Sequence, residues 1–132
     1  MTKQRVTSEY SLRLRGEIKV AVNRLYDDQR AYKATNRGSL VGMARVWIDN
    51  TVLIECIDTL PIYRRRGIAR LLMNRIIADY SNMNLTLIAC SFGGMSLPCL
   101  IKFYESLGFR SVDSARFTRR MERPSVYSSF SM

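Results

Sequence analysis

The sequence predicts an α+β domain with a mixed, largely antiparallel sheet and two main helices. In the first half of the chain, apolar side chains recur at every second position, which is typical of half-buried strands. In the second half, the apolar spacing changes to that of amphipathic helices on either side of one apolar strand. Because 132 residues is about the length of one domain, we expect a single domain over residues 1–132, with flexible tails at about 1–10 and 123–132.

The first half of the chain predicts a four-stranded antiparallel meander. Residues 12–22 alternate apolar and polar side chains and form the first strand, and residues 23–30, NRLYDDQR, form a polar connection. Two strands follow on either side of the turn signal Asn36-Arg37-Gly38. A second tight turn at Asp49-Asn50 leads into the fourth strand, TVLIECIDT.

The second half begins with an amphipathic helix. Its apolar stripe is formed by Ile68, Leu71, Leu72 and Ile76. The helix is predicted to end near Tyr80, because the polar residues that follow do not continue the stripe.

The remaining segments predict a strand, a second helix and one or two closing strands. Residues 84–92 are apolar on both faces, which is typical of a strand buried inside a sheet and would bury Cys90. The segment SLPCLIKFYESLG predicts a helix with Pro98 in its first turn and Gly108 as its C-terminal cap. Residues 109–122 predict one or two final strands, and the predicted order of elements is ββββαβαβ.

Composition and charge narrow the function classes. The chain has no histidine, so catalytic triads and metal sites that depend on imidazole are excluded, and no metal is expected. Three cysteines without paired spacing argue against a disulfide framework, and the N-terminus lacks a signal-peptide pattern, so we expect a cytoplasmic location. No apolar run is long enough to span a bilayer, so no membrane partner is expected. The net charge of +10 favours an anionic partner, although solubility alone also accounts for many arginines.

The stretch RRRGIAR has the features of a phosphate site at a helix N-terminus. Such a terminus exposes unpaired backbone N–H groups and carries partial positive charge. Gly67 and Ala69 keep the backbone accessible at this point. The arginines that add charge here are Arg64, Arg65, Arg66 and Arg70. Neither the Gly-Lys-Ser/Thr of a Walker loop nor the GxGxxG of a dinucleotide site is present.

Two motifs resemble the GNAT superfamily of acyl-CoA-dependent N-acetyltransferases. Arg64-x-x-Gly67-x-Ala69, which follows IDTLP, resembles the R/Q-x-x-G-x-G/A pyrophosphate loop of that family. The segment KFYESLGF, residues 102–109, is similar to its second signature, F-Y-x-x-x-G-F. The resemblance covers about residues 31–121. It implies a GNAT-like fold in which two central strands splay apart in a V, and an activity that moves an acetyl group from acetyl-CoA to an amine.

The resemblance also implies a binding site for acetyl-CoA. In the family, amides of the loop bind the CoA pyrophosphate, and the strand before the loop pairs its backbone with the pantetheine arm. The matching loop positions are Arg64, Arg65, Arg66, Gly67, Ile68, Ala69 and Arg70. The matching strand positions are Ile57, Asp58 and Thr59, although the side chains of Ile57 and Thr59 could simply pack in the core.

Two residues match the family's catalytic groups. Tyr104 matches a tyrosine that donates a proton to the departing CoA thiolate, and packing in the core is its alternative role. Glu55 matches a glutamate that removes the ammonium proton, directly or through a water, and by period two it shares a face with Leu53, Ile57 and Thr59. An ion pair with an arginine is the alternative role for Glu55. The transfer is direct, so the cysteines need no covalent role.

The chain departs from the family in two places. Leu97 stands where family members often carry a CoA-contacting asparagine, and the two helices that usually wall the acceptor site are not expected between the first two strands, where only NRLYDDQR is available. We therefore expect an open acceptor cleft, completed by a second copy of the chain in a homodimer or by a large substrate. The expected acceptor is macromolecular or acidic, with its amine on a protein, a nucleic acid or a small molecule. The alternative function is a catalytically degenerate GNAT-fold module that binds nucleic acid or a protein partner through its basic surface.

Overall fold

The structure, a computed structural model, describes residues 18–59, 67–90, 96–113 and 118–126, without the side chains of residues 56–59. These residues form seven strands and two helices in the order ββββαβαββ. The elements are β1 (Ile18–Tyr26), β2 (Gln29–Asn36), β3 (Ser39–Ile48), β4 (Val52–Thr59), α1 (Ile68–Asp79), β5 (Leu85–Cys90), α2 (Leu97–Glu105), β6 (Arg110–Ser111) and β7 (Thr118–Arg123).

The seven strands form one mixed sheet in the order β1-β2-β3-β4-β5-β7-β6. Strands β1 to β4 are an antiparallel meander, and β7 pairs antiparallel with both β5 and β6. The pair β4–β5 is parallel, and α1 is the crossover between these two strands. The predicted α+β class, with a largely antiparallel mixed sheet and two main helices, is confirmed.

The connection between β1 and β2 is shorter than the sequence predicts. Strand β1 runs to Tyr26 and β2 starts at Gln29, so only Asp27-Asp28 turns the chain. The prediction of a polar connection over residues 23–30 is wrong, because these residues continue the β1–β2 ladder on both sides of the turn. The side chains of residues 23–26 are exposed on both faces of β1. This part of the strand therefore lacks the alternation of apolar and polar residues that marks a half-buried strand.

Helix α1 packs its apolar stripe against the meander. Its buried residues are Ile68, Leu72, Met73 and Ile76, and burial of side chains of this size contributes about 2 kcal/mol each. At the end of the helix, the Tyr32 hydroxyl donates a hydrogen bond of 2.7 Å to Asp79 Oδ2. This bond joins β2 to α1, and burial together with the bond raises the pKa of Tyr32 far above its ordinary value.

Helix α2 packs against the same face of the sheet as α1. Leu85 and Leu87 of β5 are buried, and the register aligns them with Val52 and Ile54 of the meander core. Arg123 is the register partner of Leu85, and its Nε donates to the Leu107 carbonyl just beyond α2 at 2.9 Å. The two helices therefore cover one face of the sheet and belong to one core.

The opposite face of the sheet, which we call the open face, is covered by neither helix. It includes Arg45, Trp47, Leu53, Glu55 and Ile88. The register places Arg45 opposite Glu55 and Trp47 opposite Leu53. These side chains are half-buried, apart from Ile88, which is 59% exposed.

Strand β5 is present as predicted but is not buried on both faces. Leu85, Leu87 and Ala89 are buried on the helix side, whereas Ile88 and Cys90 are exposed. The prediction that the strand buries Cys90 is wrong, because the alternate residues of β5 lie on the open face, where neither helix covers them.

The ends of α2 agree with the sequence. Ser96 precedes the helix and its hydroxyl accepts a hydrogen bond from the Cys99 amide at 3.4 Å, and Pro98 lies in the first turn. Gly108 follows the helix with a left-handed φ of 96°. Glycine adopts this conformation without the steric cost that other residues meet, so the chain can leave the helix here.

Some predicted segments lie outside the described residues. They are residues 12–17 of the first predicted strand, the tails at 1–10 and 127–132, and the break at Gly93-Gly94. Part of the segment expected as a C-terminal tail packs on the fold, since Ser125 is buried and its amide donates to Asn84 Oδ1 at 2.8 Å. In the described part of the chain, no helix is both long enough and apolar enough to cross a membrane.

Gly38 and Gly108 offer a matched pair of substitutions that tests the end of α2. Both have left-handed φ values, 84° and 96°. A Cβ at Gly108 would lie 2.9 Å from Arg123 Nε, whereas a Cβ at Gly38 meets nothing within 4 Å. We expect Gly38→Ala to lower the free energy of unfolding by about 1 kcal/mol through backbone strain. Gly108→Ala should cost about 1 kcal/mol more, because the guanidinium that bonds the Leu107 carbonyl must move.

Urea unfolding of the two variants beside the parent protein measures this difference. Equal losses would show that Arg123 moves aside at no cost and does not hold the end of α2.

Candidate functional site

Strands β4 and β5 separate soon after they meet. Only the pairs Val52–Leu85, Leu53–Thr86 and Ile54–Leu87 join them. Residues 55–59 and 88–90 continue the two strands without pairing to each other, so the predicted V-shaped splay is confirmed. Backbone N–H and C=O groups on the facing edges of this β4–β5 slot can pair with an extended ligand, as the edge of a sheet pairs with a peptide.

A β-bulge lies on β4 beside the slot. Glu55 is opposite Arg45, and Asp58 is opposite Met43, so β4 has three steps where β3 has two. A bulge leaves one residue outside the ladder and re-aims the strand locally. It also interrupts the two-residue alternation, so the expectation that Ile57 shares the Glu55 face does not follow from period two.

The N-terminus of α1 has the backbone features of an anion site. Gly67 precedes the helix with a left-handed φ of 80°, and its carbonyl accepts the Leu71 amide at 2.9 Å. A Cβ at Gly67 would enter open space within the described part of the chain, since apart from its chain neighbours no atom there lies within 4 Å of it. The amides of Ile68, Ala69 and Arg70 have no intrahelical partner, and the first turn carries no acidic side chain to compete with a bound anion.

The Arg70 side chain connects this terminus to α2. Its guanidinium carbon lies 5.1 Å from the centre of the Phe103 ring, and its Nη2 donates to Ser106 Oγ at 3.2 Å. Arg70 therefore stacks on α2, and the α1 N-terminus and the Tyr104 helix are held side by side.

Tyr104 lies on the helix-covered side of the sheet, in an aromatic cluster. Its side chain is 8% exposed, and its ring makes edge contacts with Phe103 at 5.2 Å and Phe109 at 6.1 Å between centroids. Burial raises the pKa of Tyr104 to about 12. The phenol is therefore neutral and holds its proton at neutral pH.

Glu55 lies on the open face and accepts a hydrogen bond from the indole of Trp47. The indole Nε1 donates to Glu55 Oε1 across the β3–β4 pair. Both side chains are half-buried, and Arg45 is directly opposite Glu55 in the register. The Glu55 carboxylate is thus bonded by a neutral donor while it keeps partial access to solvent.

A cleft of about 560 Å³ adjoins Trp47 on the side of the Asp27-Asp28 turn. Its lining residues are Asp28, Trp47, Ile48, Asp49, Thr51 and Leu53. The Asp28 carbonyl accepts the Ile48 amide at 2.7 Å, which fixes the turn between β1 and β2 against β3. The two-residue turn leaves no room between β1 and β2 for the pair of helices that the resemblance would place there.

The structure brings some of the predicted site residues together and leaves others outside its description. Gly67, Ile68, Ala69 and Arg70 share the N-terminus of α1. Glu55 and Tyr104 lie on opposite sides of the sheet. Of Ile57, Asp58 and Thr59 only the backbone is described, and Arg64, Arg65 and Arg66 lie outside the described residues.

Two features of the site escape reasoning from the sequence. Trp47 reaches Glu55 only through the register of β3 and β4, which depends on the exact length of the turn between them, and the spacing of apolar residues does not give that length. The bulge has no glycine to mark it, and the segment Cys56-Ile57 reads as a simple continuation of the strand.

Leu97 packs against the core, so it presents no polar group to a ligand. Within the described part of the chain, no three acidic or cysteine side chains lie together as metal ligands would.

Comparison with known proteins agrees with this geometry. Residues 13–121 match the family described as "Acetyltransferase (GNAT) domain". A search of curated proteins gave no match. Among solved structures, the chain is similar to an acyl-CoA N-acyltransferase from Pseudomonas aeruginosa, with 20% identity, a TM-score of 0.61 and coverage of 75% of this chain and 70% of that one.

Two further structures share the fold. The ribosomal-protein-S18-alanine N-acetyltransferase from Escherichia coli has 16% identity, a TM-score of 0.64 and coverage of 94% of this chain and 90% of that one. A GNAT family acetyltransferase from Elizabethkingia anophelis with acetyl-CoA bound has 16% identity, a TM-score of 0.65 and coverage of 82% of this chain and 98% of that one. At these identities, the similarity to solved structures shows only a shared fold. The match of residues 13–121 to the family shows the family membership. The chain belongs to the GNAT acetyltransferase family.

Proposed function

We propose that the protein is an N-acetyltransferase that moves an acetyl group from acetyl-CoA to an amine by direct transfer. The observation that carries the proposal is the β4–β5 slot, in a fold that also has a glycine-led helix N-terminus and a buried, neutral tyrosine. The unpaired edges of the slot suit the amide-containing pantetheine arm, and the amides of Ile68, Ala69 and Arg70 suit the pyrophosphate. Arg64, Arg65 and Arg66 are proposed to add charge to the same end of the ligand.

The residues on the two sides of the slot divide the proton transfers between them. Glu55, directly or through a water, takes a proton from the acceptor ammonium, and the free amine forms a C–N bond with the thioester carbonyl carbon. A backbone N–H near Thr59 stabilises the negative charge on the carbonyl oxygen. When the C–S bond breaks, Tyr104 donates its proton to the sulfur, and CoA leaves as a thiol. The nitrogen, which is cationic after the attack, loses its second proton to solvent, and Tyr104 takes a proton back from solvent before the next turnover.

The proposed acceptor is an amine on a macromolecule. Neither described helix covers the open face next to Glu55, so a large acceptor can approach without passing between these helices. Asp28 and Asp49 line the adjoining cleft, and carboxylates there favour an amine that arrives as a cation over an acidic acceptor.

Acetyl-CoA binding tests the proposal, with Gly67→Ala and Gly38→Ala as a matched pair. Both glycines have a left-handed φ and open space at the Cβ, so both substitutions should lower the free energy of unfolding by about 1 kcal/mol. Only Gly67→Ala places a methyl group where the pyrophosphate would approach, and we expect it to weaken acetyl-CoA binding at least about tenfold, or 1.4 kcal/mol. Isothermal titration calorimetry measures the affinity.

Tripolyphosphate at two salt concentrations is the control for nonspecific anion binding. Affinity for a polyanion on a basic surface should fall steeply with salt, and a site built from backbone amides should be less sensitive. Equal binding of acetyl-CoA and tripolyphosphate, or equal effects of the two glycine variants, would reject the cofactor site. The binding-module alternative would then account better for the basic surface.

Tyr104→Phe tests the proton donor. The ring stays, so acetyl-CoA affinity should change less than about twofold, while kcat should fall about a hundredfold. Because burial raises the pKa of Tyr104 to about 12, the wild-type rate should not fall between about pH 8 and pH 10 through ionisation of this phenol. The assay follows CoA thiol release with poly-L-lysine, a peptide with a free N-terminus, and spermidine as amines. A large loss of acetyl-CoA affinity instead would make Tyr104 a structural residue.

A further inference from the structure

The chain's only tryptophan makes a specific contact with the proposed base. Trp47 is on β3, directly opposite Leu53, and Glu55 is the next residue of β4 on the same face. This diagonal separation is within reach of an aromatic side chain in an antiparallel pair. The indole Nε1 uses that reach to donate its hydrogen bond to Glu55 Oε1.

The chemistry of this donor suits a carboxylate that must accept a proton. An indole N–H donates only, and it neither takes up the proton nor carries a charge that would oppose it. The bond engages Oε1, so in the proposal Oε2 is the oxygen that takes the proton of the acceptor. A glutamate side chain has several rotatable bonds, and a fixed donor on one oxygen restricts it to few conformations.

Trp47 is also part of the cleft wall, so one side chain joins the cleft to the base. Its ring lines the cleft together with Asp28, Asp49 and Leu53. The ring that lines the cleft is thus the same ring whose N–H bonds Glu55.

We propose that Trp47 is a positioning residue for the acetyl transfer, which holds the Glu55 carboxylate where it can take the acceptor's proton. The proposal rests on the proposed function. It assigns Trp47 no contact with the reacting atoms, and all of its effect on the rate should act through Glu55.

A double-mutant cycle tests that dependence. Glu55→Gln should lower kcat about a hundredfold, and Trp47→Phe, which keeps an aromatic ring but removes the donor, should lower kcat about tenfold. In the Glu55→Gln background, Trp47→Phe should change kcat less than about twofold. The KM for acetyl-CoA should stay within about twofold in all three variants, because the slot is not altered. A tenfold loss from Trp47→Phe in both backgrounds would overturn the proposal, since the two effects would then be independent.

Tyr32→Phe is the matched control for loss of an aromatic donor. It removes the hydrogen bond that the Tyr32 hydroxyl donates to the Asp79 carboxylate. This bond is comparable to the Trp47–Glu55 bond but lies on the far side of the sheet from the cleft. It should lower thermal stability and leave kcat unchanged. Circular dichroism and melting curves show whether each variant folds, and a variant is compared only at temperatures where it is folded.

Tryptophan fluorescence gives a second readout that needs no turnover. Since Trp47 is the sole tryptophan, its emission reports on this contact alone. Glu55→Gln should change the emission maximum or intensity, whereas Glu122→Gln, on the same face but bonded to Arg120, should not. Identical emission from the wild type and Glu55→Gln would overturn the contact on which the proposal depends.

The outcomes separate this inference from the proposed function. If acetyl-CoA binds and Tyr104→Phe slows transfer, but Glu55→Gln has no effect on kcat, the acetyltransferase stands and the role of Trp47 falls. If acetyl-CoA does not bind, the proposed function fails. If it binds but none of the three amines is acetylated, the fluorescence comparison still decides whether Trp47 holds Glu55.

Discussion

The early separation of β4 and β5 is the constraint on which the rest of the site depends. These strands lie in the middle of the sheet, where backbone N–H and C=O groups normally pair with a neighbouring strand. Beyond Ile54 and Leu87 they do not pair with each other. An unpaired buried backbone group costs about 1–3 kcal/mol, so a fold keeps such a gap only where something else satisfies these groups. A ligand with its own amides, laid along the strand, meets that need.

The placement of the helices gives the two sides of the slot different chemistry. On the helix-covered side, Tyr104 is enclosed by Phe103 and Phe109, and burial favours its neutral, proton-donating form. On the open face, Glu55 keeps access to solvent and is bonded by an indole rather than enclosed by apolar groups. In the proposed function, the helix-covered side would supply the proton donor and the open face the proton acceptor.

The sequence predicts the parts of this molecule that local periodicity and turn residues control. The α1 stripe, the turn at Asn36-Arg37-Gly38 and the Pro98–Gly108 limits of α2 all follow from residue spacing or backbone preference. What it misses depends on pairing between distant residues. The exposed end of β1, the bulge on β4 and the Trp47–Glu55 bond are set by strand register, and the exposure of Cys90 is set by which face the helices cover.

The distribution of charge shows why net charge is a poor guide to the acceptor. The net charge is +10, but several of the arginine side chains are engaged in local contacts within the protein. Examples are the pairs Arg24–Asp27, Arg75–Asp79 and Arg120–Glu122, and the stacking of Arg70 on Phe103. The cleft beside Trp47 is lined by two carboxylates, Asp28 and Asp49, although the net charge of the chain is positive. Since screening limits the reach of surface charges to about 8–10 Å at ordinary ionic strength, the proposed acceptor at this cleft would be affected by these carboxylates more than by distant arginines.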